Sequence, residues 1–121
     1  MHVELSEQGI EILKKFNEVS KIVFYGSVYR KNHRKESDID LAFICDDVMK
    51  SFPLNLDGTP VGLREKIQNS LYGLEEKSGI KFHVPIYWES EFREGISLPG
   101  KKNYPNALLE AGCVVFDAYK F

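Results

Sequence analysis

The stretch Val23-Phe24-Tyr25-Gly26-Ser27-Val28-Tyr29-Arg30-Lys31-Asn32-His33-Arg34-Lys35-Glu36-Ser37-Asp38-Ile39-Asp40-Leu41-Ala42 decides how this chain is read. A β-branched and aromatic run, Lys21–Tyr25, reads as a buried strand, and Gly26-Ser27 stops it. Ten residues follow, with Val28–Asn32 as a short helix and Lys35–Ser37 as a polar turn. Asp38–Cys45 then reads as a second strand. Side chains alternate along a strand, so Asp38, Asp40 and Ala42 share one face while Ile39, Leu41 and Phe43 share the other. Two like charges on one strand face repel each other, and a purely structural role for such a pair is hard to find.

The two halves of the stretch point to one kind of chemistry. A glycine-serine turn leading from a strand into a helix offers backbone N–H groups and a hydroxyl to a phosphate. No Gly-Lys-Ser/Thr follows, so it is not a Walker loop. Carboxylate oxygens two residues apart on a strand can share Mg²⁺, which commonly completes its shell with substrate phosphates and water. Phosphoryl and nucleotidyl transfer use such sites to hold attacking and leaving oxygens in line.

Working outward, Ser6–Asn17 reads as a helix capped by Ser6, with Ile12, Leu13 and Phe16 at helical spacing. Asp46–Gly58 is a connector with a helical turn near Val48–Phe52. Thr59-Pro60 is a helix start, and the helix runs to Ser78 with Leu63, Ile67, Leu71 and Leu74 as its apolar stripe and Gly79 as its stop. Ile80–Trp88 reads as a third strand with Phe82, Val84, Ile86 and Trp88 on one face. Pro85 lacks an amide hydrogen, which puts this strand at an edge or gives it a bulge. Ser90 is a cap for a short helix Glu91–Ile96, Ser97–Asn103 is a loop, Pro105–Ala111 is helical, and Cys113–Ala118 is an apolar tail. Three strands with intervening helices make an α/β (α+β) domain, a small mixed sheet with helices on one face and the other face, bearing Asp38 and Asp40, partly open.

Composition narrows the class. The chain has 121 residues, room for one core, and one domain over 1–121 is expected. Basic and acidic residues nearly balance, 16 against 18, so no global field makes nucleic acid or an anionic membrane an obligatory partner. No stretch reaches membrane-spanning length and no signal core opens the chain. Cys45 and Cys113 sit in apolar contexts; one disulfide is open to them, but two buried free thiols of a cytoplasmic protein fit better.

Gly26-Ser27, ten residues, then Asp38-Ile39-Asp40 flanked by Ser37 and Leu41 resembles the signature of the DNA polymerase β-like nucleotidyltransferase superfamily. The match is closest to its minimal nucleotidyltransferases. The resemblance implies that Gly26 and Ser27 take the β- and γ-phosphates of a nucleoside triphosphate, with Arg30 and Ser37 completing the nucleotide-binding set. It implies that Asp38 and Asp40 hold Mg²⁺ or Mn²⁺, with ATP as substrate. Active relatives carry a third acidic residue on the next strand, and alignment through Trp88, Phe92, Arg93 and Glu94 puts His83 there. Imidazole suits Mg²⁺ poorly, though it can serve as a base near neutral pH. Glu89 or Glu91 would have to reach in from the strand end to replace the missing carboxylate. Two functions follow from the resemblance. One is transfer of AMP to an acceptor hydroxyl, including one on a HEPN-type toxin, which would make the chain an antitoxin. The other is a catalytically degenerate module that binds nucleotide or neutralises a HEPN protein by contact. Self-association stays open. The cluster Arg30, Lys31, His33, Arg34 and Lys35 is either a solvated loop or a phosphate or partner contact.

Overall fold

A computed structural model describes residues 1–94 and 112–119. The helix expected at Pro105–Ala111 and the loop at Ser97–Asn103 lie outside them. The order of elements is α1 (His2–Leu13), β1 (Val19–Tyr25), α2 (Gly26–Tyr29), β2 (Ile39–Cys45), a 3-10 turn (Asp47–Ser51), α3 (Leu63–Ser78), β3 (Phe82–His83), β4 (Ile86–Trp88), α4 (Glu89–Glu94) and β5 (Cys113–Asp117). The sheet runs β3-β2-β1-β5, with β4 continuing on β2 beside β3. Its pairing is mixed: β1 is antiparallel to β2 and β5, whereas β3 and β4 run parallel to β2.

The alternation of β2 sorts the molecule into two sides. Ile39, Leu41, Phe43 and Cys45 face α1 and α3 and share one core with Leu5 and Leu13 of α1 and Leu63, Ile67 and Leu71 of α3. Ile39, Leu41 and Phe43 are fully buried, and each such side chain contributes about 1.5–3 kcal/mol of transfer free energy. The other face carries Asp40 together with a smaller buried cluster of Val23, Ala42 and Ile44, flanked by Tyr25 and Tyr87. Gly9 brings α1 close to the sheet, because a Cβ there would run into the Phe82 ring. The apolar stripe expected on α3 is the one that packs, and Gly79 ends the helix in the left-handed conformation.

Six local expectations need correction. α1 begins at His2, not Ser6. Ser6 is buried inside the helix, where its hydroxyl donates to the His2 carbonyl one turn back at 2.7 Å, so a partner within the helix replaces the capping role. α3 begins at Leu63, not at Thr59-Pro60. The Thr59 hydroxyl and amide both bond Asp57 Oδ1, Pro60 bridges to Leu54, and Gly62 at φ +82° cannot continue a helix. The third strand is split into β3 and β4, with Pro85 between them; its carbonyl still accepts from Phe43 N at 2.9 Å. The short helix near Ser90 starts earlier, at Glu89. The apolar tail is a strand, β5, whose close approach to β1 needs Gly112: a Cβ there would overlap the Phe24 carbonyl. Both cysteines are free, but only Cys45 is buried; Cys113 is exposed on β5.

Candidate functional site

Strand register brings the two halves of the motif together. Tyr25 pairs with Asp40 across β1 and β2, and Asp40 pairs with His83 across β2 and β3. Tyr25, Asp40 and His83 therefore form one row across the sheet, and Gly26 follows directly at the end of β1. Gly26 sits at φ +84°, where residues with a side chain are strained. A Cβ built on it would overlap the Asp40 carboxylate. Both the backbone conformation and the approach of Asp40 thus require glycine, and Gly26 lies directly against Asp40.

The individual groups are held as follows. Ser27 lies in the first turn of α2, half-buried, and its hydroxyl has no hydrogen-bond partner among the described residues. Arg30 closes α2, its amide bonding the Gly26 carbonyl at 3.0 Å, while its side chain is exposed. Ser37 belongs to a turn: its hydroxyl accepts from Arg34 N at 2.8 Å, and its carbonyl lies 3.1 Å from His2 Nε2. The His2 ring in turn lies 4.4 Å from that of His33. This contact ties the start of α1 to the loop that delivers Asp38. Asp38 is exposed immediately ahead of β2, with no ion pair to a described residue.

Asp40 is mostly buried, its side chain 21% exposed, and it is hydrogen-bonded to His83, whose Nδ1 lies 3.1 Å from Oδ1. No lysine or arginine among the described residues pairs with either aspartate. The Tyr25 phenol is held well above its ordinary range, first by burial and then by the negative charge of Asp40 and the neighbouring Tyr87. The end of the sheet that carries the motif is thus an acidic, partly desolvated spot.

Neither expected substitute for the third carboxylate reaches this spot from α4. Glu89 lies at the opposite end of β1, buried, where it accepts from the Ser20 hydroxyl and from Lys21 Nζ. The reason is direct: β4 pairs with the far half of β2, Trp88 opposite Cys45, so the residues that follow it start from the wrong end. His83 alone occupies the third position of the row.

Among the described residues no three His, Cys, Asp or Glu side chains gather into a metal cage. The hard donors present are the Asp38 and Asp40 carboxylates. Mg²⁺ is commonly bound by one or two carboxylates with substrate phosphates filling the remaining positions. The pair therefore fits a cation that arrives on a triphosphate better than a resident ion.

One feature of the surroundings was not foreseen from the sequence. Beyond His83, between α3 and β3, lies a cavity of about 170 Å³ whose polar edge includes Arg64 and Gln68. These two are four apart on α3, next to the apolar stripe, and only that spacing could have marked them. Among the described residues, no helix is long and apolar enough to cross a membrane. Compared with curated proteins, the chain has no significant match. A family model described as polymerase beta, nucleotidyltransferase matches residues 7–84, which takes in the second half of α1, the Gly26-Ser27 turn, Asp38, Asp40, α3 and His83. The chain belongs to the polymerase beta nucleotidyltransferase family.

Proposed function

We propose that the domain is a minimal nucleotidyltransferase that moves AMP from ATP to an acceptor hydroxyl. The observation that carries this reading is the contact between Gly26 and Asp40, which joins a phosphate-type turn to an acidic pair with no compensating lysine or arginine among the described residues. An acidic site of this kind suits a cation shared with a triphosphate, and Asp38 and Asp40 are the residues that would hold Mg²⁺ or Mn²⁺. Such an ion, when bound, offsets phosphate charge as pyrophosphate departs. Gly26 and Ser27 provide an amide and an unengaged hydroxyl for the β- and γ-phosphates, and Arg30 supplies a nearby cation. Ser37 acts on the nucleotide indirectly, by shaping the turn ahead of Asp38. In this reading the acceptor hydroxyl comes from a partner of HEPN type, and the chain acts as its antitoxin.

The second reading, a module that binds nucleotide or partner without turnover, is favoured by one observation. The third place in the row holds His83, hydrogen-bonded to Asp40, where a carboxylate would serve metal and acceptor. The two readings separate in a transfer assay with ATP labelled at the α-phosphate, Mg²⁺ or Mn²⁺, and a HEPN protein. Incorporation of label that is abolished by Asp40→Asn supports transfer. Complex formation with no label under either metal supports the binding module and removes the enzyme.

A further inference from the structure

Asp38 stands exposed ahead of β2, so its place is set by the backbone on either side of it. Downstream, the Ile39 amide donates to the Lys81 carbonyl at 2.9 Å and fixes the start of the strand. Upstream, Arg34 and Ser37 close a turn on each other. The Arg34 amide donates to the Ser37 hydroxyl at 2.8 Å, and the Ser37 amide donates to the Arg34 carbonyl at 3.1 Å. Those bonds shape the turn without fastening it to the rest of the molecule. The fastening comes from α1. His2 is only 7% exposed, and its Nε2 lies 3.1 Å from the Ser37 carbonyl oxygen. A carbonyl oxygen only accepts, so this bond requires the proton on Nε2. The His33 ring lies 4.4 Å from that of His2, and His33 Nδ1 is buried without a hydrogen-bond partner among the described residues. His33 therefore walls the His2 ring, and Ser37 receives its hydrogen bond.

The accepting carbonyl belongs to the peptide unit that joins Ser37 to Asp38. That unit is planar from one Cα to the next, so a hydrogen bond to its oxygen orients the plane that carries Asp38. We propose that His2 is a positioning residue for the acidic pair: its Nε2–H holds the Ser37–Asp38 peptide in the orientation from which Asp38 joins Asp40 on the shared cation. This rests on the reading of Asp38 and Asp40 as cation ligands given above. Asp40 needs no such latch, because it lies within β2, paired to β1 on one side and β3 on the other. His2 acts on the cation and the nucleotide only through Asp38. It also lies outside residues 7–84 of the family match, so its role follows from the fold of this chain rather than from the family pattern.

The test is isothermal titration of ATP with Mg²⁺ into the full chain and into three variants at His2, with urea unfolding of each. His2→Phe keeps a ring against His33 and removes the donor. His2→Leu removes the donor with a smaller apolar side chain, which keeps a folded donor-free chain in hand should the larger ring pack badly. His2→Gln returns an N–H to the Ser37 carbonyl. The donor-free chains are expected to bind Mg²⁺-ATP about three- to tenfold more weakly than the parent, the loss of about one hydrogen bond. His2→Gln is expected to stay within about twofold of the parent. A purely structural role ranks the variants the other way: at so buried a site, leucine keeps the fold at least as well as glutamine, whose polar atoms cost more to bury. Affinities that follow the order of urea stability, with His2→Leu at or above His2→Gln, overturn the positioning role. Binding by the parent that the donor-free chains match overturns it as well, and leaves the cation reading of Asp38 and Asp40 in place. No binding of Mg²⁺-ATP by the parent overturns that reading and the role of His2 with it.

Discussion

The two ends of β1 treat charge in opposite ways. At the start of the strand, the buried Glu89 carboxylate accepts from the Ser20 hydroxyl and from Lys21, and Asp117 lies 4.0 Å from the same ammonium. At the other end, Asp40 is also largely withdrawn from water, but among the described residues it is hydrogen-bonded to His83 and pairs with no lysine or arginine, and Asp38 is exposed. A buried carboxylate that serves stability is given a cation and a hydroxyl, because desolvation of an unpaired charge costs several kcal/mol (~) per ion. A carboxylate kept without such a partner signals that its partner comes from outside. The difference between the ends says more about function than the presence of acidic residues does.

That comparison can be broken by substitution, and the largest effect belongs to the paired end. Lys21→Met removes the cation facing Glu89 and is expected to cost about 3–5 kcal/mol of stability, measured by urea unfolding. A loss below about 1 kcal/mol would place this pair with ordinary surface ion pairs. Gly26→Ala comes next. It forces a side chain into a left-handed backbone position and against Asp40, for an expected loss of about 1–3 kcal/mol, together with displacement of the Asp40 carboxylate. Unchanged unfolding would mean that the turn relaxes freely.

A third effect appears with pH. Burial, then the charges of Glu18, Asp46 and Asp47, pushes the Cys45 thiol up to about 12. The folded chain therefore holds this proton after the unfolded chain has released it. The corresponding stability is complete below the unfolded value, 9.0, and is lost as pH rises from there toward about 12, with a slope of up to about 1.4 kcal/mol per pH unit. Cys45→Ala should flatten the part of that decline that begins near the thiol's ordinary value; an unaltered curve would exclude the thiol as its source. The exposed Cys113 should react with a thiol reagent near neutral pH while Cys45 reacts only on unfolding. The smallest stability change is expected for His83→Ala. Its side chain is 62% exposed, so unfolding should shift by less than about 0.5 kcal/mol.

How much of this could be read from residues alone follows the same division. Asp38 and Asp40 stood out because strand alternation is a local property, and Gly26-Ser27 because it ends an apolar run; the left-handed conformation of Gly26 is visible only in the structure. The facing of β2 and the stripe of α3 were readable for the same reason. What remained hidden depended on distant partners. Ser6 and Thr59 look like helix caps by sequence, yet the His2 carbonyl and the Asp57 carboxylate occupy their hydroxyls. Glu89 looked able to reach the site until the pairing of β4 with the far half of β2 placed it at the other end. The apolar run Cys113–Asp117 carried no sign that β1 would be its partner. The cavity beside His83 is formed by the packing of α3 against Phe82, His83 and Val84, which no local pattern announces.

On the proposed reading, the end of the sheet that carries Asp40 binds a triphosphate together with a divalent cation. Isothermal titration of ATP into the chain, with and without Mg²⁺, and into Asp40→Asn, tests it directly. Saturable binding is expected that needs Mg²⁺ and falls by about tenfold or more in Asp40→Asn, while urea unfolding of that variant stays within about 1 kcal/mol of the parent. Equal ATP affinity in the presence and absence of Mg²⁺, and in parent and variant, would contradict it.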